Sequence, residues 1–106
     1  MGSIEAVLQE ELQRLRAVEK SYQRAIKKLP KGSLQRKRIK GKEYPYLAFR
    51  RAGKVAYRYV GRLSKDALEA LRRDLERRSR YERLYADARR NQRRLEKMIR
   101  GTRRAV

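Results

Sequence analysis

Basic side chains and tyrosines are concentrated in the middle of this 106-residue chain, a combination typical of contact with nucleic acid. Lys and Arg neutralise phosphates and release counterions, and the π-face of an exposed tyrosine can stack on a base. Residues 30–63 hold eleven basic residues and a single acid, Glu43, which favours an anionic partner. The candidate contact residues of this region are Lys31, Arg36, Lys37, Arg38, Lys40, Lys42, Tyr44, Tyr46, Arg50, Lys54 and Arg58.

A second set of candidate contact residues lies further along the chain. Arg73, Arg77 and Arg80 are spaced to lie on neighbouring turns of a helix, where they could follow a groove or a folded RNA. Residues 64–106 also carry seven acids, so some of the arginines there are expected to pair within the helix. For any single arginine of this set, a solvated charged face is the simpler interpretation.

The charge of the whole chain narrows the class of partner. There are 32 Lys and Arg against 12 Asp and Glu, for a net charge of +20. Such an excess opposes compaction unless it is screened, and it indicates nucleic acid first and an acidic membrane surface second. The sequence has no run of about 18 apolar residues and no pattern of a secretory signal at its N-terminus. We therefore expect a cytoplasmic protein with no membrane partner.

Few residues could carry catalysis. The chain has no His and no Cys, which removes thiolate ligands and the commonest general base and metal ligand. No glycine-rich loop is followed by Lys and Ser or Thr, as phosphate-binding loops require. We expect no enzyme activity, no catalytic residues, no metal and no cofactor. A His-free ribonuclease, similar in size and basicity to the small ribosome-dependent toxins, stays open as an alternative.

Apolar periodicity predicts the elements that position the candidate residues. In residues 1–29, apolar side chains recur at steps of three, four and seven, which indicates an amphipathic helix. Ser3 is a suitable N-cap, and Pro30 followed by Gly32 ends the pattern.

Residues 64–100 carry a second apolar stripe, which predicts a long helix with Ser64 as its N-cap. The stripe changes phase near Arg78, so a kink or a helical hairpin stays open. Gly101 is expected to end this helix and to leave residues 101–106 as a frayed tail. The two apolar stripes are expected to pack on each other or on another subunit, which leaves a homodimer open.

Between the helices, the residue types change to those of β-structure. Residues 33–61 are rich in Tyr, Val, Ile and Leu and are divided by Gly41 and Gly53, which predicts an antiparallel sheet. We expect three strands, near 34–40, 43–50 and 54–60.

The turn around Gly53 decides the register of the last two strands. A two-residue turn would force Ala52 to positive φ, which alanine resists. We therefore expect a turn through Arg51 and Ala52 with Gly53 in the left-handed conformation, so that Arg50 pairs with Lys54.

This register sorts the side chains into two faces. The expected apolar face comprises Leu47, Phe49, Val55, Tyr57 and Tyr59. The expected contact face comprises Tyr44, Tyr46, Arg50, Lys54 and Arg58. Tyrosines that merely fill a thin sheet would give a similar pattern, so packing and contact both stay open for each tyrosine.

Several short segments resemble a family of small uncharacterised prokaryotic proteins. These segments are Gly32-Ser33-Leu34, Gly41-Lys42-Glu43-Tyr44-Pro45-Tyr46-Leu47, Arg50-Arg51-Ala52-Gly53-Lys54-Val55 and Tyr59-Val60-Gly61. The resemblance covers about residues 28–100 and implies the same order of elements and a mobile-element or phage-related setting, and it supplies no catalytic residues. Pro45 replaces the family's aromatic or apolar residue, which indicates a local sheet edge or a bulge.

Together these patterns predict a single α+β domain over residues 1–106, with an N-terminal helix, a three-stranded antiparallel sheet and a long C-terminal helix or helical hairpin. We expect a non-enzymatic nucleic-acid-binding accessory protein that contacts phosphates and stacks tyrosines on bases. RNA, or a ribonucleoprotein of a mobile-element or defence-related system, is favoured over DNA, because distributed Arg and exposed Tyr suit irregular backbones. The alternatives are an architectural or regulatory DNA-binding dimer and a protein-interaction module or inhibitor that binds an acidic partner surface.

Overall fold

The computed structural model describes residues 3–104 and contains five elements. They are α1 (Ile4–Lys27), β1 (Ser33–Ile39), β2 (Lys42–Arg51), β3 (Lys54–Tyr59) and α2 (Lys65–Arg104). This order confirms the predicted α+β fold with a three-stranded antiparallel sheet. The C-terminal element is one long helix that continues through Arg78.

The described chain falls into two compact units. The helix unit consists of residues 3–28 and 80–104, and the sheet unit consists of residues 29–79. The prediction of a single domain stays a prediction.

Helix α1 begins and ends where its capping residues allow. The Ser3 hydroxyl accepts a hydrogen bond from the Ala6 amide at 3.1 Å, which confirms the predicted N-cap. On the exposed side of the helix, Arg14 donates hydrogen bonds of 2.9 and 2.5 Å to Glu11. This bonding lowers the pKa of the Glu11 carboxyl from its ordinary value.

Over residues 3–104, neither helix combines the length and the apolar character that a membrane span needs.

The helix unit is an antiparallel pair of helices with a thin apolar core. The buried side chains of this core are Leu12, Leu15, Ala88 and Ile99. Near one end of the pair, the rings of Tyr22 and Tyr81 lie 5.9 Å apart. At the other end, the Arg103 guanidinium donates to the Glu5 carboxylate at 2.7 Å. The predicted packing of the two stripes on each other is confirmed within one chain.

Gly101 does not end α2, and the prediction of a tail from residue 101 is wrong for the described residues, because the helix continues to Arg104. A glycine in a helix interior costs only about 1 kcal/mol relative to alanine. Burial of Ile99 and the ion pair between Arg103 and Glu5 hold the last turns against α1 and offset that cost.

The sheet has the strand order β1-β2-β3, with both neighbouring pairs antiparallel. A two-residue turn joins each pair, Lys40-Gly41 in the first and Ala52-Gly53 in the second. All four of these residues have positive φ, which is the requirement of the type I′ hairpin turn.

The three-residue turn predicted around Gly53 is wrong. Ala52 has φ of 52° and Gly53 has φ of 79°, so Arg51 pairs directly with Lys54. Left-handed backbone costs an L-residue about 1–2 kcal/mol. The two-residue turn matches the right-handed twist of its strands, and the six residue pairs of β2 and β3 outweigh the strain at Ala52.

The corrected register shifts β3 by one residue, which moves each of its side chains to the opposite face. Lys54 and Arg58 therefore lie on the face of Leu47, not on the expected contact face. Tyr57 and Tyr59 lie on the opposite face, with Tyr46 and Tyr44. The expected grouping of contact residues is wrong for β3 and right for β2.

The face of Leu47 is the inner face of the sheet unit. Leu34 and Pro45 of this face line a cavity of about 620 Å³ together with Leu68 and Leu75 of α2. Leu47 itself is buried. The first turns of α2 therefore cover this side of the sheet, and the Ala67 amide donates to Ser64 at 3.1 Å as the predicted N-cap.

Pro45 lies in the central strand at a point where β3 has ended. Its β1 partner is Arg36, whereas the pairing of β2 with β3 stops at Tyr46 and Tyr59. The Val60 amide donates to the Pro45 carbonyl at 3.1 Å. Proline has no N–H with which to return a second bond, and the ladder of β2 and β3 ends beside it, which agrees with the predicted local edge.

Substitutions at Ala52 test the turn. Ala52→Asn is expected to raise the free energy of unfolding by about 0.5–1 kcal/mol, because Asn tolerates the left-handed conformation of a type I′ turn. Ala52→Val is expected to lower it by about 1 kcal/mol. Urea unfolding followed by circular dichroism measures both. Equal unfolding midpoints for all three proteins would contradict positive φ at this residue.

Candidate nucleic-acid interface

Four tyrosines lie together on the outer face of the sheet, named here the tyrosine face. They are Tyr44 and Tyr46 of β2 and Tyr57 and Tyr59 of β3. Cross-strand partners share a face, and Tyr46 lies directly opposite Tyr59. Tyr57 and Tyr59 are 48% and 43% exposed, so their rings are accessible from solvent.

The rings of this face are tilted against one another and do not stack. The Tyr59 ring centroid lies 5.3 Å from that of Tyr46 and 6.3 Å from that of Tyr44, with interplanar angles of 58° and 59°. Tilted pairs at these distances are favourable for aromatic quadrupoles. They hold the rings in a fixed arrangement without covering their faces by mutual stacking.

Lys37 places a positive charge among these rings. Its Nζ lies 3.5 Å from the centroid of Tyr57 and 5.2 Å from that of Tyr46, within the range of cation–π attraction. The side chain reaches them from β1, where Lys37 pairs with Tyr44. The cluster therefore combines accessible ring surface with a cation.

The described sheet carries no acidic side chain on the tyrosine face. Glu43 is on the inner face, where its carboxylate lies 3.4 Å from the Arg36 guanidinium. Two further cations, Lys42 and Arg50, lie on the outer face at exposed positions of β2. The outer face therefore has an uncompensated positive potential.

A hollow of about 330 Å³ opens on the tyrosine face. Its lining residues are Ile39, Tyr44, Tyr46 and Tyr59. Ile39 is 46% exposed, at the end of β1 opposite Lys42. The hollow is thus an apolar and aromatic depression beside a lysine.

Gly61 makes room for the ring of Tyr59. A Cβ atom at Gly61 would collide with the Tyr59 hydroxyl and ring, whereas the backbone of Gly61 itself needs no left-handed conformation. A glycine two residues beyond the tyrosine therefore fixes where this ring can lie.

The contact residues predicted from the sequence lie in several different parts of the structure. Lys37, Lys42, Tyr44, Tyr46 and Arg50 are brought together on the tyrosine face. The inner face of the sheet carries Arg36, Arg38, Lys54 and Arg58. The remaining predicted residues are Lys31 before β1, Lys40 in the first hairpin turn, Arg73 and Arg77 in the sheet unit and Arg80 in the helix unit.

Some predicted cations have an acidic partner. Arg77 lies 3.8 Å from Asp74 in the same helix, and Arg36 pairs with Glu43 as described. These arginines fit the interpretation of internally paired charges better than that of contact residues.

Tyr57 and Tyr59 are the candidate residues that sequence reasoning placed on the wrong face. The signal in the sequence that could have found them is the X-Gly form shared by Lys40-Gly41 and Ala52-Gly53, because glycine at the second position suits a two-residue hairpin turn. Among residues 3–104, no group of three or more acidic side chains is placed to hold a metal ion.

A family model described as a domain of unknown function, DUF6788, matches residues 7–73. That range is more than half of the chain. The chain belongs to the DUF6788 family. The DUF6788 match contains most of α1, the whole sheet and the first turns of α2, so the tyrosine face lies entirely within it. No curated protein and no solved structure matches the chain.

Gly61→Ala is expected to displace the ring of Tyr59 with little change in stability, because the new Cβ meets the movable end of a side chain. The expected change in the free energy of unfolding is within about 0.5 kcal/mol. Proton NMR contacts between the Tyr59 and Tyr46 rings are expected to weaken. Unchanged ring contacts would contradict the role of Gly61.

Gly32→Ala is expected to be far more destabilising than Gly61→Ala. Gly32 has φ of 116°, and its Cβ would meet the backbone carbonyl of Ala48, which cannot move away. The expected loss of unfolding free energy is about 2 kcal/mol or more.

Proposed function

We propose that this DUF6788 protein is a non-enzymatic accessory protein that binds nucleic acid, with RNA favoured over DNA, through the tyrosine face. The observation that carries the proposal is the coincidence of four tyrosines, three cations and no acid on one open side of the described sheet. Exposed aromatic rings cost solvation free energy when nothing covers them, and large exposed apolar surface marks interaction sites.

In this proposal the tyrosines and the cations of the face make different kinds of contact with the nucleic acid. Tyrosine rings supply stacking surface, which every base can use because every base has a π-face. Lys37, Lys42 and Arg50 supply charges for the phosphates between stacked bases. Neither contribution needs a catalytic group.

The geometry of the face supports the preference for RNA. A sheet with exposed aromatic rings is the platform on which several RNA-binding modules stack two or three splayed bases. Duplex DNA recognition instead uses an element that enters a groove, such as a recognition helix. The prokaryotic, mobile-element or phage-related setting rests on the sequence resemblance alone, and the defence-related setting and the cytoplasmic location stay predictions.

A pair of charge-matched triple variants tests the proposal. The tyrosine-face variant is Lys37→Gln, Lys42→Gln and Arg50→Gln. The control variant is Arg38→Gln, Lys54→Gln and Arg58→Gln, which removes the same charge from the inner face. Fluorescence anisotropy with a labelled RNA and a duplex DNA of matched sequence, over a range of salt concentrations, measures affinity and salt slope.

The tyrosine-face variant is expected to bind RNA at least about 10-fold more weakly and to lose about one unit of salt slope per phosphate contact removed. The control variant is expected to lose less than about 3-fold. Equal losses would show that only net charge matters. Tighter binding to DNA throughout would favour the DNA-binding dimer, and no binding tighter than micromolar at physiological salt would favour an acidic protein partner.

A further inference from the structure

The hollow on the tyrosine face is small, open to solvent and lined mostly by aromatic rings. Its volume of about 330 Å³ lies at the lower end of small-molecule pockets, which span about 300–1,000 Å³. Three of its four lining residues are tyrosines, and the fourth, Ile39, is aliphatic. A polar chain or a hydrated ion would gain little from such walls, whereas an aromatic heterocycle would be stacked on them.

The position of the hollow in the sheet keeps it open. Beyond Tyr59 the strand β3 has ended, while β2 continues with Tyr44 and Pro45. The walls therefore come from β1, β2 and the last residue of β3, and no fourth strand follows in the described sheet.

Charge complementarity indicates what the ring system is attached to. Lys42 pairs with Ile39 at the rim, and Lys37 pairs with Tyr44 on the adjoining residue pair of this face. A base seated against the tyrosines would have its phosphates within the field of these two lysines, with no acid on this face to repel them.

We propose that this hollow seats a single unpaired base, and that the ligand of the tyrosine face is therefore single-stranded RNA or the loop of a folded RNA. This inference rests on the proposed function and specifies its ligand. In a duplex, each base has both faces covered by its neighbours, and the major groove of an RNA helix is too deep and narrow for side chains to read. A base can enter the hollow only after it has left such a stack.

Three RNA probes of one sequence test the inference: a single strand, a hairpin that presents the sequence in its loop, and a blunt duplex. At one fixed salt concentration, the single strand and the hairpin are expected to bind at least about 10-fold more tightly than the duplex. Binding is also expected to quench tyrosine fluorescence, because the chain has seven Tyr and no Trp and four of the tyrosines lie on this face.

Two variants of Tyr59 separate stacking from other contributions. Tyr59→Leu removes the ring and is expected to weaken single-strand binding by about 5- to 100-fold, with little effect on duplex binding. Tyr59→Phe keeps the ring and is the matched control, with an expected change of less than about 3-fold. Ile39→Glu places a carboxylate on an exposed wall of the hollow and gives a second test that does not depend on removing a ring.

The outcomes distinguish the inference from the proposed function. If the duplex binds as tightly as the single strand and neither Tyr59→Leu nor Ile39→Glu weakens binding, the base site is wrong. Binding through the cations of the tyrosine face then still stands, provided that the tyrosine-face charge variant loses more affinity than its control. If none of the three probes binds, the proposed function fails and the base site fails with it.

Discussion

The register of β2 against β3 is the constraint on which the candidate interface depends. Because the Ala52-Gly53 turn has only two residues, Arg51 pairs with Lys54, and every later pair follows from that one. Tyr59 then lies opposite Tyr46 on the outer face. A turn longer by one residue would direct the tyrosines of β3 towards α2 and two cations outwards. The left-handed conformation of one alanine therefore separates a face with four tyrosines from a face with two tyrosines and two more cations.

The two faces of the sheet meet different physical demands. The inner face needs apolar side chains such as Leu34 and Leu47, because the first turns of α2 cover it. In the sheet unit no element requires apolar side chains on the outer face, yet this face carries four tyrosine rings. Tyrosine can take this position because its ring is apolar and its hydroxyl stays hydrated. The tilted contacts and the lysine among the rings reduce the cost of exposure without closing the face.

Periodicity predicted the elements of this fold, whereas weak local preferences misled at two points. The seven-residue spacing in α1 and the caps at Ser3 and Ser64 are strong signals, because each summarises many contacts or a specific hydrogen bond. The reluctance of Ala52 to adopt positive φ and the tendency of Gly101 to end a helix are each worth about 1–2 kcal/mol. Strand pairing in one case and helix packing in the other exceed these values. The site was accordingly predicted in its β2 half and misplaced in its β3 half.

The distribution of acids explains why the excess charge matters most on the sheet. In the helix unit, the carboxylates of Glu5, Glu19 and Glu96 reach across to arginines of the facing helix, so part of the charge there holds the two helices together. On the sheet, Glu43 is turned to the inner face. No acid of the described sheet therefore lies beside the cations of the outer face. A phosphate that approached Lys37 would find a charge held by attraction to two rings rather than by a carboxylate, and it would not have to displace an acid. An anionic polymer with flat bases meets both features of this surface at once, whereas an acidic protein surface would use only the charge.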